Sequence, residues 1–234
     1  MKLAMVIDLG RCIGCRTCMV VCKGHNSQPP GTWWNRVFTP GSRYHQSAHP
    51  NAGGIGMSFL PVSCQMCENA PCAKVCPVGA TYIDSRGRVL VDFERCIGCR
   101  YCMAACPYGV RQFNWEDPRR AKARAGYMPG YDYGYPFQHR DGEGRLVYLP
   151  DRPRGVVEKC TFCVQYTDRG QLPICVQACP AQARTFGDLD QPDSEVSRLV
   201  REEVPVRLKE ELGTSPKVFY LEAGRRRPAL NSGT

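Results

Sequence analysis

Apolar residues along the chain come in short runs. None approaches the ~18 consecutive apolar residues that a membrane-spanning helix needs, and 19 prolines and 23 glycines break the pattern throughout. The clearest local signal is an extended stretch at 80–84, a turn at Ser85-Arg-Gly-Arg88 and a second extended stretch at 89–92, which predicts a hairpin. Trp33, Trp34 and the glycine-rich 51–56 predict a loop-rich insertion with short strands. Near the end, Asp193 or Ser194 can cap a helix to about Glu203, which Pro205 interrupts. A helical turn over 207–212 follows, Gly213 ends it, and 218–221 reads as a strand. The final stretch is expected to be disordered.

So broken a pattern builds no large apolar core across 234 residues, and metal or disulfide cross-linking is the usual substitute. The 16 cysteines fall into four groups of four with none left over. They are Cys12, Cys15, Cys18 and Cys22; Cys64, Cys67, Cys72 and Cys76; Cys96, Cys99, Cys102 and Cys106; and Cys160, Cys163, Cys175 and Cys179. The first and third have the C-x2-C-x2-C-x3-C spacing of bacterial ferredoxins, in which three close cysteines hold one cubane and the fourth ligates another. Gly14 and Gly98 are expected to let the backbone pass near the sulfides, and Pro77, Pro107 and Pro180 turn the chain after the fourth cysteine. The stretch from Asp8 to Cys22 repeats from Asp92 to Cys106 at an offset of 84, identical at 10 of 15 positions. Groups two and four look like degenerate copies. Disulfides suit neither the close spacing nor a start without a secretion signal. Structural zinc would use C-x2-C pairs two per site, leaving the third and fourth cysteines and their prolines unexplained. Four [4Fe–4S] clusters are expected.

The formal charge of +9 suggests nucleic acid, but four cubanes with their thiolates add about −8, and +9 − 8 leaves +1. The basic residues also stand singly except for Arg225–Arg227, so no nucleic-acid partner is expected. Met1 to Asp8 has neither an apolar signal core nor a twin arginine, so the chain is expected to carry no export signal or anchor of its own. His25, His45, His49 and His139 form no ligand set, with His45 and His49 expected at the surface. No phosphate-binding glycine motif and no nucleophile–base arrangement is present, so no catalytic residue is expected. Arg16 and Arg100 share one repeat position beside ligands, where they either raise a cluster potential or lie solvated. Trp115 is expected in core packing or at an interface. Tyr127, Tyr131, Tyr133, Tyr135 and Phe137 form a long aromatic loop expected to contact a partner.

Groups two and three, joined by the hairpin, can form one two-cluster module, with groups one and four closing around them. The matching stretches are Val6-Ile-Asp8, Cys64-Gln-Met-Cys67-Glu-Asn-Ala-Pro-Cys72, Cys106-Pro-Tyr-Gly-Val-Arg-Gln-Phe-Asn-Trp115 and Glu158-Lys-Cys-Thr-Phe-Cys163. With the nested cysteine order, they resemble the iron–sulfur subunit of the molybdopterin oxidoreductases, such as polysulfide, dimethyl sulfoxide and tetrathionate reductases. The resemblance implies four ligand sets. Cys12, Cys15 and Cys18 join Cys179; Cys160, Cys163 and Cys175 join Cys22; Cys64, Cys67 and Cys72 join Cys106; Cys96, Cys99 and Cys102 join Cys76. It places the first cluster toward the catalytic subunit and the last toward the membrane partner. Nitrate-reductase-like members have Trp at the position of Cys99 and a [3Fe–4S] last cluster, so Cys99 implies four cubanes.

The expected fold is α+β: two ferredoxin-like two-cluster modules with loop insertions and a small C-terminal helical extension. Residues 1–22 plus 156–190 form the first module, 57–115 the second, 23–56 and 116–155 the insertions, and 191–234 the extension. The expected function is electron transfer between a large molybdopterin catalytic subunit and a multispanning quinone-reactive membrane subunit, with no direct membrane span and membrane association through the partner. The alternatives are a free soluble polyferredoxin or the electron-input subunit of a hydrogenase or tungsten aldehyde oxidoreductase.

Overall fold

The computed structural model describes residues 1–39, 58–126 and 137–222. The glycine-rich 51–56, His45, His49, Tyr127, Tyr131, Tyr133, Tyr135 and Arg225–Arg227 lie outside these residues.

Strand β1 (Leu3–Asp8) is apolar on both faces. Leu3, Met5 and Ile7 join one buried cluster, while Ala4 and Val6 join another, the period-two pattern of a strand covered on both sides. Then come α1 (Thr17–His25), β2 (Arg36–Phe38), β3 (Leu60–Val62), α2 (Pro71–Lys74), β4 (Thr81–Ile83), β5 (Val89–Val91) and α3 (Tyr101–Ala104). The chain continues through β6 (Gln112–Phe113), α4 (Pro118–Arg124), β7 (His139–Arg140), β8 (Leu146–Tyr148) and β9 (Val157–Glu158). It closes with α5 (Val164–Thr167), α6 (Ile174–Gln177), β10 (Arg184–Asp188), α7 (Glu195–Glu202) and β11 (Val218–Leu221). The architecture is a small mixed one of short helices and small sheets.

β1 is the middle strand of a three-stranded sheet, antiparallel to β10 and parallel to β11. The hairpin expected over 80–92 is β4 paired with β5, and β2 pairs with β3 inside the first insertion. The second insertion is less loop-like than its composition suggests. Val147 and Tyr148 of β8 are fully buried against Leu90 and Val164.

The C-terminal segment, expected as a small helical extension, is part of the body. Ser194 does cap α7, its hydroxyl accepting from the Ser197 N–H at 3.1 Å, and Val196 and Leu199 pack on Ala4, Val6 and Phe219. β11 is buried along its whole length. The Tyr220 hydroxyl donates to the Pro61 carbonyl at 3.0 Å and accepts from Gln65 at 3.2 Å. The strand period that places Phe219 and Leu221 on one face places Val218 and Tyr220 on the other, among the cysteines.

Candidate metal centres

The 84-residue repeat is a repeat of backbone conformation. Cys12 N–H donates to the Asp8 carbonyl at 3.2 Å and Cys96 N–H to that of Asp92 at 3.1 Å. Gly14 and Gly98 have φ of +68° and +70°, Arg16 and Arg100 of +62° and +63°. Groups two and four share part of it: Met66 and Phe162, two residues after their first cysteine like the glycines, have φ of +48° and +57°. All four loops therefore reverse at the same place. A Cβ on Gly14 would collide with the Phe59 ring, and one on Gly98 with the Gly155 carbonyl oxygen. The close approach expected toward the sulfides is thus also an approach to other protein.

The loops bring cysteines from distant groups together. Cys22 of α1 lines a cavity with Cys160, Cys163 and Cys175, walled by Met5, Trp34 and Phe162, with ≈ 330 Å³ of space counting its mouth. Cys106 lines a second cavity, ≈ 310 Å³, with Cys64, Cys67 and Cys72, walled by Val89, Tyr108 and Val110. Cys12 feels the charges of Cys18 and Cys179, and Cys102 that of Cys96. Cys15 and Cys99 are exposed and Cys76 is half-buried, and none of the three lines either cavity. All sixteen cysteines are free thiols. Among the described residues no three His, Cys, Asp or Glu side chains converge as a single metal ion would require.

Burial, then the charges of neighbouring thiols, pushes Cys160 and Cys67 up to about 12 and Cys22 well above its usual value. Such thiols ionise together only around a cationic core, and a four-iron core supplies one. Donors suited to the sulfurs are in place: Ala183 N–H to Cys179 at 3.3 Å, Thr81 N–H to Cys76 at 3.4 Å, Phe162 N–H to Cys160 at 3.5 Å and Gln28 Nε2 to Cys22 at 3.3 Å. Free thiols, apolar walls and aimed N–H groups fit [4Fe–4S] clusters.

The arginines near sulfur are not those the repeat singles out. Arg16 and Arg100 are exposed, and Arg100 lies over Trp115 at 4.8 Å and Phe113 at 5.4 Å. Trp115 itself is 64% exposed, so it is not core. Buried instead are Arg111 and Arg184, each five residues after the last cysteine of its group. Arg184 donates to Cys18 Sγ at 3.4 Å, Cys175 Sγ at 3.8 Å and Asn35 Oδ1 at 3.3 Å. Arg111 donates to Thr81 Oγ1 at 3.2 Å and lies in the field of Cys72, Cys102 and Cys64. The shared C-P-x-x-x-R spacing was the available signal. His25 and His139 pair with Tyr166 and Asp168 and approach no cluster of ligands.

Models of the 4Fe-4S dicluster domain match residues 11–80, 55–127 and 95–184. The chain is 45% identical over 225 residues to a putative dimethyl sulfoxide reductase iron–sulfur subunit of Halobacterium salinarum, covering 93% of this chain and 78% of the relative. It is 38% identical over 234 residues to the arsenate respiratory reductase iron–sulfur subunit of a Shewanella species, covering 95% and 97%. It is 32% identical over 221 residues to one of the chains of the Wolinella succinogenes polysulfide reductase, covering 94% of each.

Proposed function

Because the chain belongs to the family of four-cluster iron–sulfur subunits of the molybdopterin reductases, we propose that it joins a large molybdopterin catalytic subunit to a multispanning quinone-reactive membrane subunit. It is an electron-transfer subunit, not a catalytic one, and holds four [4Fe–4S] clusters. Bound clusters supply one-electron couples; the chain spaces them, excludes water and sets the charge around them.

The observation that carries the reading is the pair of four-cysteine cavities, each joining three cysteines of one group to the last cysteine of another. It supports Cys22 as ligand with Cys160, Cys163 and Cys175, and Cys106 with Cys64, Cys67 and Cys72. By the same exchange Cys179 completes Cys12, Cys15 and Cys18, and Cys76 completes Cys96, Cys99 and Cys102. The β1–β10 pairing supports a first module of 1–22 plus 156–190, and the β4–β5 hairpin a second of 57–115. Links between the sets support a linear order of clusters: Cys18 and Cys175 share Arg184, Cys160 feels Cys64, and Cys72 and Cys102 flank Arg111. The exposed Cys15 and Cys99 then mark the two ends of the conductor, beside the exposed apolar Ile13 at one and Ile97 and Tyr101 at the other.

No helix among the described residues is long and apolar enough to cross a membrane; the proposed membrane association runs through the partner. Purification from native membranes in mild detergent, followed by mass spectrometry, tests this. A molybdopterin subunit and a multispanning protein are expected to come with the chain. Recovery of the cluster-loaded chain alone from the soluble fraction would instead make it a free polyferredoxin.

A further inference from the structure

Arg111 and Arg184 are 3% and 5% exposed, and among the described residues neither pairs with a carboxylate. A buried charge without a partner is costly, so something anionic must answer each guanidinium. For Arg184 the structure offers sulfur: its two terminal nitrogens divide between Cys18 and Cys175. For Arg111 the charged neighbours are Cys72, Cys102 and Cys64, while Nε and Nη2 have no hydrogen-bond partner among the described residues. In both cases the neighbours come from two different ligand sets. The two positions are also equivalent in the chain, following Cys-Pro by the same spacing. At the corresponding place after Cys76 stands Thr81, which accepts the Arg111 hydrogen bond. Each half of the molecule thus holds one buried guanidinium at the junction of two clusters.

We propose that Arg184 and Arg111 are shared counter-charges, each setting the potentials of the two clusters it lies between and so dividing the four into two tuned pairs. This rests on the ligand sets above. Arg184 faces the first and second clusters, Arg111 the third and fourth. A bound cluster would carry a site charge of about −2 when oxidised and about −3 when reduced. The guanidinium meets that added charge; no bond is made or broken and no proton moves, because Arg stays cationic throughout. A fixed cation favours the reduced state of both neighbours, and so raises both potentials. A lysine could supply the charge but not the fork that reaches two sulfurs at once.

The test is an EPR-monitored redox titration of the intact complex carrying Arg184→Gln, Arg184→Lys, Arg111→Gln or Arg111→Lys, with iron and sulfide counted in each. R184Q is expected to lower two of the four potentials by at least tenfold in the reduction equilibrium, about 59 mV for one electron, and R111Q the other two. Each Lys variant is expected to keep the shift less than half as large. Four loaded clusters with unmoved potentials, an equal shift of all four, or a Lys variant shifted as far as its Gln counterpart would overturn the proposal. If the Gln variants do not load clusters, the Lys variants decide: loading at near-native potentials supports a charge requirement, and loss of clusters in them too refutes it. A wild-type chain with fewer than four clusters would instead sink the ligand sets themselves, which separates that failure from this one.

Discussion

Gly14, Met66, Gly98 and Phe162 do the same work at the same place in four loops, and only two of them do so without strain. Left-handed backbone costs an ordinary residue roughly 1–2 kcal/mol. Met66 and Phe162 offset it by full burial, at 0% and 1% exposed. A methyl faces the backbone cost at both glycines, but at Gly98 it also meets the fixed Gly155 carbonyl, whereas at Gly14 it meets the Phe59 ring, which can turn. Gly98→Ala is therefore expected to cost about 3 kcal/mol or more in denaturant unfolding of the loaded chain, and Gly14→Ala about half that. At Cys99, substitution by Trp is expected to leave three cubanes intact and turn the fourth into a [3Fe–4S] centre, visible by EPR in the oxidised state. A silent oxidised spectrum would mean that Cys99 is no ligand of that cluster. The cysteines and loop glycines are legible because they recur at fixed spacing. Met66 and Phe162 are not, because nothing in a buried apolar side chain announces positive φ. Arg16 and Arg100 stand out in the repeat, but both are exposed and Arg100 lies over Trp115 and Phe113; Arg111 and Arg184 look ordinary until burial singles them out.

At the scale of elements, the short helices and paired strands serve to carry sulfur. Of the strands, the β4–β5 hairpin was legible from its turn, and 218–221 from its apolar run. Its partnership with β1 was not, since pairing between residues more than 200 apart leaves no local periodicity. β11 shows what that partnership is worth. The Tyr220 hydroxyl ties it to Pro61 and Gln65, next to group two. Tyr220→Phe leaves those buried groups unanswered and is expected to cost about 1–2 kcal/mol, read as a shift of the urea midpoint at unchanged slope. The buried Arg152–Glu158 pair plays a similar part for the second insertion: Arg152 lies 4.9 Å above Trp34 and so ties the two insertions together. Composition alone made these stretches look like loops, because an ion pair and one tryptophan do what a longer apolar run does elsewhere.

For the whole molecule, the main buried cluster of side chains holds Cys18, Cys64, Cys67, Cys72, Cys102 and Cys175 packed among aliphatic and aromatic residues. Metal and core are therefore one structure, and binding energy at such sites is folding energy. Anaerobic removal of iron by a chelator is expected to abolish cooperative unfolding and near-ultraviolet circular dichroism together, and restoring iron and sulfide to restore both. Retention of a cooperative transition in the iron-free chain would show that the sheet β10-β1-β11 stands on its own.

That sheet has a consequence for synthesis. β1 is made long before β10 and β11, the two strands it pairs with, and closing so long a loop is slow relative to local folding. On the proposed ligand sets, Cys12, Cys15 and Cys18 are made early, but their fourth ligand waits for Cys179. On that reading the nascent chain must be kept reduced until residue 179 has been made. A chain cut short before residue 175 would leave the first two proposed ligand sets incomplete and β1 without either strand it pairs with.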